Sequence, residues 1–133
     1  MFKLSGRSLK NLEGVHPDLV AVVKRAIEIT SIDFGVSEGL RDAYRQALLM
    51  NEGKSTSFKS LHLMQKDGYA HAVDLFVIGD DGKASWEHKH FRKAIQAMMT
   101  AAIELNVQIE AGGLWRDFLD SPHFQLNREF YGN

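Results

Sequence analysis

Among the 133 residues there is no cysteine, which excludes both a disulfide framework and any thiolate metal site and leaves the chain indifferent to redox compartment. An excess of either charge is also missing: sixteen Lys and Arg face seventeen Asp and Glu, for a net charge of -1. No basic surplus is available to condense on a phosphate backbone, so a nucleic-acid partner is not expected. No apolar run approaches the eighteen or so residues of a membrane span, so direct membrane insertion is not expected either. The opening M-F-K-L-S-G-R-S-L-K has charges at Lys3, Arg7 and Lys10 and no signal-peptide core, which predicts synthesis in the cytoplasm without a leader. What is present is ordinary for a globular chain, 44% hydrophobic and 25% charged, at a length that suits one domain with one site over residues 1–133.

The pattern of apolar residues gives the elements. His16 to Thr30 reads as an amphipathic helix, with Pro17 at its first position and a stripe of Leu19, Val22, Val23, Ala26 and Ile27. Asp33 to Glu38 suits a short strand, and a helix from about Leu40 to Asn51, closed by Gly53, follows it. The polar run from Gly53 to His62 reads as a loop. Tyr69 to Val77 is expected as a strand, and I-G-D-D-G-K turns the chain. Ser85 then caps a long helix whose stripe is Phe91, Ala94, Ile95, Met98, Ala102 and Leu105, with Trp86 also expected in the core. Short strands at Val107 to Glu110 and His123 to Leu126 complete an α+β order, with a small, largely antiparallel sheet packed against helices.

Two stretches carry chemistry. In S-L-H-L-M-Q-K-D-G-Y-A-H-A-V-D, strand alternation sends Asp74 to the face shared by Ala70 and Ala72, and His71 to the other. In D-S-P-H-F-Q-L the same rule groups His123 with Gln125 and sends Phe124 and Leu126 to the core. If the two strands are neighbours, Asp74 and His123 look into one cleft. Two histidines and a carboxylate are the three N/O donors of a catalytic zinc site, which keeps a fourth position for water. Asp120, three residues before His123, is either a proton carrier beside that site or a turn residue bonding its own backbone. Arg41 could grip a carboxylate or form a salt bridge, and Ser60 could meet a substrate or shape its loop. His88 and His90 cannot share a helix face and are expected in solvent, whereas Trp115 fits either a cleft wall or the core.

These residues resemble the zinc D-alanyl-D-alanine carboxypeptidase and L-alanyl-D-glutamate endopeptidase family, whose signatures are S-x-H-x-x-G-x-A-x-D and a short D/E-x-x-H. S-L-H opens at Ser60, A-V-D closes at Asp74, and D-S-P-H supplies the second signature. Upstream, S-E-G-L-R-D-A-Y-R-Q is similar to the family's strand-to-helix segment. G-G-L-W-R-D-F-L-D-S-P-H-F-Q-L is similar to the tryptophan-containing approach found in phage endolysins. The likeness runs from about Leu4 to Leu126. It implies a fold like that of the hedgehog and D-Ala-D-Ala metallopeptidases, zinc ligands His62, Asp74 and His123, catalytic Asp120, and substrate-binding Arg41, Gln46 and Ser60.

The implied reaction is zinc-dependent cleavage of peptidoglycan stem peptides. Aspartate at position 120, where the carboxypeptidases usually carry Glu, favours cutting at L-alanyl-D-glutamate. The implied setting is a monomeric phage or prophage endolysin reaching the periplasm through a holin-type lysis partner. The rivals are a D-alanyl-D-alanine carboxypeptidase and a metal-containing binding domain without turnover. One departure stands out: His62 and Asp74 are twelve residues apart, five more than the family's interval, the insertion falling around M-Q-K-D-G. Loop closure costs only about 0.6 kcal/mol per doubling of length, so His62 can still return to the metal. If it were displaced, His71 would be the next donor.

Overall fold

The computed structural model describes residues 1–53 and 60–132. The middle of the loop expected between Gly53 and His62 lies outside them. Five helices, five strands and one 3-10 turn follow one another among the described residues: α1 (Gly6–Asn11), α2 (Pro17–Ile29), β1 (Phe34–Glu38), α3 (Ala43–Asn51), β2 (Ala72–Ile78), β3 (Ala84–Ser85), α4 (His88–Leu105), β4 (Ile109–Ala111), the 3-10 turn Gly112–Leu114, β5 (His123–Leu126) and α5 (Arg128–Tyr131). Among the described residues the five strands pair antiparallel, in the order β1-β2-β5-β4 with β3 also on β2, and an isolated parallel bridge joins Val15 to Ala70. This is the α+β class expected from the order of elements.

Alternation along β2 and β5 separates a core face from a site face. Val73, Leu75, Val77, Phe124 and Leu126 are buried against α2 and α4, which bring Leu19, Val22, Val23, Ala26, Phe91, Ala94 and Met98. Burying a side chain such as Leu126 or Phe91 contributes about 1.5–3 kcal/mol. The opposite face carries Asp74 and Gln125, and pairing sets Asp74 against His123 and Ala72 against Gln125. Both α2 and α4 begin and end for local reasons. His16 Nδ1 accepts from Asp18 N at 3.0 Å ahead of Pro17, and Asn106 ends α4 in the left-handed conformation at φ 56. No helix among the described residues is long and apolar enough to cross a membrane.

Several element boundaries differ from the sequence reading. The expected cap of α4, Ser85, instead lies in β3, pairing with Val77, and Glu87 precedes the helix without a side-chain cap bond. Ser85 Oγ still accepts from Glu87 N and meets the His90 ring. Because Trp86 lies in the link before the helix, helical spacing does not govern it, and it is 57% exposed rather than in the core. Leu105 is likewise exposed, at the last turn. β2 starts later than Tyr69 because other backbone claims the preceding residues: Ala70 bonds Gly14 and His16, and His71 N donates to Leu61 O at 2.8 Å. α3 starts only at Ala43 because Asp42 caps it, accepting from Arg45 N at 2.7 Å. The short helices α1 and α5, capped by Ser5 and Asn127, have too few turns to show a period in the sequence.

Candidate functional site

Three donor atoms converge above β2 and β5. His62 Nε2 lies 3.3 Å from Asp74 Oδ1, and His123 Nδ1 lies 3.2 Å from the same oxygen. All three donors fall within 4.8 Å of one another, the one group among the described residues able to hold a metal ion. Around an ion with bonds of about 2.0–2.2 Å, the edge of a tetrahedron is roughly 3.3 Å. The two donor separations have that length.

The outer contacts of both rings select the tautomers a metal needs. A carbonyl can only accept, so the 2.9 Å contact of His62 Nδ1 with Gly39 O places the proton on Nδ1 and leaves Nε2 with a lone pair toward Asp74. In His123 the roles are exchanged. Its Nε2 contacts Gln125 Oε1 at 2.8 Å, so Nδ1 is the atom turned to Asp74 with its lone pair. The donor set therefore fits a divalent ion of the zinc type.

His62 reaches the cluster despite the twelve-residue interval because the extra residues form a self-bonded turn. Gln65 Nε2 donates to Leu63 O at 2.7 Å, Gln65 N to Tyr69 O at 2.9 Å, and Gly68 N to Gln65 O at 2.9 Å. Asp67 closes the turn against His71 Nε2 at 2.7 Å. His71 is thus buried on the far face of β2, bonded to Asp67 and packed near His16, away from the three donors. Ser60 Oγ accepts from His62 N at 3.1 Å and shapes the start of this turn.

The Asp120 backbone is fixed by Asp120 N to Gly112 O at 3.0 Å and by His123 N to Asp120 O at 3.1 Å, and its carboxyl feels the charges of Asp74, His123, His62 and Arg41. Arg41 is buried. It forms a two-pronged bridge to Glu38 and donates to Gln46 Oε1 at 2.7 Å, and Gln46 is itself fully buried behind it. Half-buried Trp115 stands beside the cluster with its ring centroid 5.4 Å from that of His123.

With this geometry in place, the comparisons with known proteins are specific. A family model described as phage L-alanyl-D-glutamate peptidase matches residues 1–131. The chain belongs to that family. It is 30% identical over 131 residues to the L-alanyl-D-glutamate peptidase of Escherichia phage T5, covering 98% of this chain and 93% of the relative. Against the L-alanyl-D-glutamate peptidase of Listeria phage A118 it is 28% identical over 129 residues, which is 95% of this chain but 43% of the relative's length. The crystal structure of the Serratia marcescens L-Ala D-Glu endopeptidase ChiX shares the fold, with a TM-score of 0.86 at 37% identity over 98% of this chain and 95% of that one.

Charge within the site is tuned for a cation. Burial by itself would raise the Asp74 carboxyl, but hydrogen bonds and charge from His123 and His62 outweigh it and hold the group well below the usual carboxylate range. His123 is the counterpart. Burial favours its neutral form, yet Asp74, with Gln125 and Asp120, moves it above the ordinary 6.5. Asp120 moves the other way from Asp74: burial and then the Asp74 charge lift it above the ordinary 3.8, against His123, His62 and Arg41.

Sequence reasoning missed several residues that build this site. Gly39 is one, because a Cβ there would run into the Asn11 carbonyl and a Val15 methyl, so only glycine lets its own carbonyl reach His62. Gly112 is another: a Cβ would meet the Asp120 carbonyl and crowd His123. The G-G pair was the available signal, quoted only as part of the tryptophan-containing approach. Exposed His88 was expected in solvent, yet its Nδ1 lies 2.6 Å from Ser121 Oγ, tying the start of α4 to the Asp120–His123 turn. Glu38 left a readable trace in E-x-x-R.

Proposed function

We propose that this chain is a zinc peptidase that cleaves the L-alanyl-D-glutamate bond of peptidoglycan stem peptides, acting as a phage or prophage endolysin. The observation that carries the reading is the meeting of His62 Nε2, His123 Nδ1 and Asp74 Oδ1 at tetrahedral-edge spacing, with Asp120 near enough for their charges to act on its carboxyl. His62, Asp74 and His123 would hold the ion, whose Lewis acidity toward water and an amide carbonyl is the chemistry it supplies.

The chain's own groups do the rest. Asp120 takes a proton from the attacking water and returns it to the departing nitrogen, a role suited by a carboxyl whose proton affinity burial has raised. Arg41 pairs with a substrate carboxylate, and Gln46 steadies Arg41 from behind. Ser60 keeps His62 in register, and Trp115 flanks His123. Gln125 keeps His123 oriented by accepting from its Nε2.

In the setting this reading implies, the monomer acts on the periplasmic wall and depends on a holin-type partner for passage through the membrane. Purified sacculi digested with the zinc-loaded protein should yield new N-terminal glutamate. Free D-alanine instead would reassign it as a carboxypeptidase, and no product of either kind would leave a binding domain.

A further inference from the structure

Arg41 is engaged along one edge by an acid that the peptidase reading does not use. Its Nε donates to Glu38 Oε1 at 2.6 Å, its Nη2 to Glu38 Oε2 at 2.9 Å, and its Nη1 to Gln46 Oε1 at 2.7 Å. A guanidinium has five N–H donors in a rigid plane, and these bonds use three, so one N–H remains on each of Nη1 and Nη2. Both partners are placed by the site itself. Glu38 is the Cα partner of Asp74 across β1 and β2, just past an irregularity at Val36, and Arg41 N donates to His62 O at 2.7 Å. The Arg41 charge is also among those acting on Asp120.

We infer that Glu38 is a positioning residue: it locks the Nε edge of Arg41 so that the terminal edge is offered to the carboxylate retained by the glutamate on the amine side of the scissile bond. A glutamate brings two carboxyl groups besides its nitrogen, and a linear stem continues through only one. The other stays ionised within a few bonds of the nitrogen that leaves. This inference rests on the peptidase reading above and names the substrate group that Arg41 selects.

Two effects of Glu38 oppose each other. Its charge offsets that of Arg41 and weakens attraction for an anion, whereas its two-pronged grip removes in advance the rotamer freedom that a long side chain would otherwise lose on binding. The edges decide between them, because a carboxylate at the terminal nitrogens need not displace Glu38. Orientation is then kept at no cost in donors. The two effects give opposite expectations for Glu38→Gln: lost orientation raises KM, and released charge lowers it.

The test uses zinc-loaded wild type, Glu38→Gln, Glu38→Asp and Arg41→Lys on two synthetic stem peptides, one with that carboxylate and one with a carboxamide in its place. Wild type should prefer the carboxylate roughly 10- to 100-fold in kcat/KM, the difference lying in KM. Glu38→Gln should narrow the preference to within about threefold by raising KM on the carboxylate peptide alone, with zinc content unchanged. Glu38→Asp keeps the charge but not the reach, and should fall between. If Glu38→Gln does not fold, the aspartate variant decides, a partial loss of preference supporting the inference and a wild-type preference overturning it. A retained preference, a lowered KM or an equal loss on both peptides in Glu38→Gln overturns it. If wild type itself cleaves the carboxylate and carboxamide peptides equally well and Arg41→Lys does the same, the carboxylate clamp fails and this inference with it. Digestion of sacculi reports separately whether the peptidase reading stands.

Discussion

Asp74 and His123 are Cα partners across β2 and β5, 49 residues apart in sequence, with Oδ1 and Nδ1 3.2 Å apart. Register therefore brings an acid and an imidazole together as a property of the sheet, and His62 needs only to arrive from a loop. A first prediction follows for metal content. Wild type should bind one zinc, Asp74→Asn should bind none at micromolar zinc, and His71→Ala should bind as wild type does. Gln125→Leu, which removes the partner that fixes the His123 tautomer, should weaken binding roughly 10- to 100-fold. Zinc titration with a competing chelator measures all four, and loss of the ion from His71→Ala at wild-type melting temperature would show that the wrong histidine has been placed in the site.

Asp120→Asn separates chemistry from binding. The side chain keeps its size, and the turn bonds that fix this residue run through its backbone, so fold and zinc content should be retained. Turnover should drop about 10²- to 10⁴-fold, the range for a lost proton carrier. Release of N-terminal glutamate from sacculi gives the rate. Wild-type turnover in this variant would return Asp120 to the role of a turn residue.

The part of the site that could be read in the sequence was the part governed by local periodicity. Alternation separated Asp74 from His71 and His123 from Phe124, because side chains two apart in a strand share a face whatever the strand pairs with. The neighbour relation of β2 and β5 was a condition in the sequence and a fact only in the structure. Contacts set by packing were not legible. Glu38 against Arg41 depends on an irregularity in the β1 pairing, and Gly39 against Asn11 on how α1 lies over the chain. Trp86 shows the opposite failure, since a helical period was extended past the point where β3 had taken the backbone.

The metal-free protein should respond to pH in two directions. Asp74 is held below its ordinary 3.8, so its contribution to stability is present above that value and is lost as pH falls through the lower folded value. His123 is raised above 6.5, so its contribution is complete below 6.5 and is lost as pH climbs through the folded value. Stability from this pair is thus greatest between 3.8 and 6.5. Zinc takes the place of the His123 proton, so zinc affinity should rise with pH across that titration and binding should release protons. Melting with chelator present, and calorimetry of zinc binding in buffers of differing protonation enthalpy, test the two halves. Zinc affinity independent of pH from 5 to 8 would contradict the assignment of His123 as a ligand (about that range is where a histidine titrates).

Gly39→Ala links the fold to the metal most directly. The added methyl meets the Asn11 carbonyl oxygen and a Val15 methyl, and neither yields easily: one is backbone, and Asn11 is also tied through its Nδ2 to Val36 O at 2.8 Å. The strand-to-helix segment must shift instead, which should cost about 1–3 kcal/mol of stability, as overpacking does elsewhere. That shift carries the Gly39 carbonyl away from His62 Nδ1, releasing the ring that it orients at 2.9 Å. Zinc affinity should therefore fall along with the melting temperature, by the 10- to 100-fold typical of losing an outer partner. Gly53→Ala is the control. Gly53 ends α3 at φ +73 with open space around it, so alanine there is strained and should lower stability while leaving zinc affinity unchanged. Equal zinc affinity in the two variants at matched stability would mean that the Gly39 carbonyl does not orient the ligand.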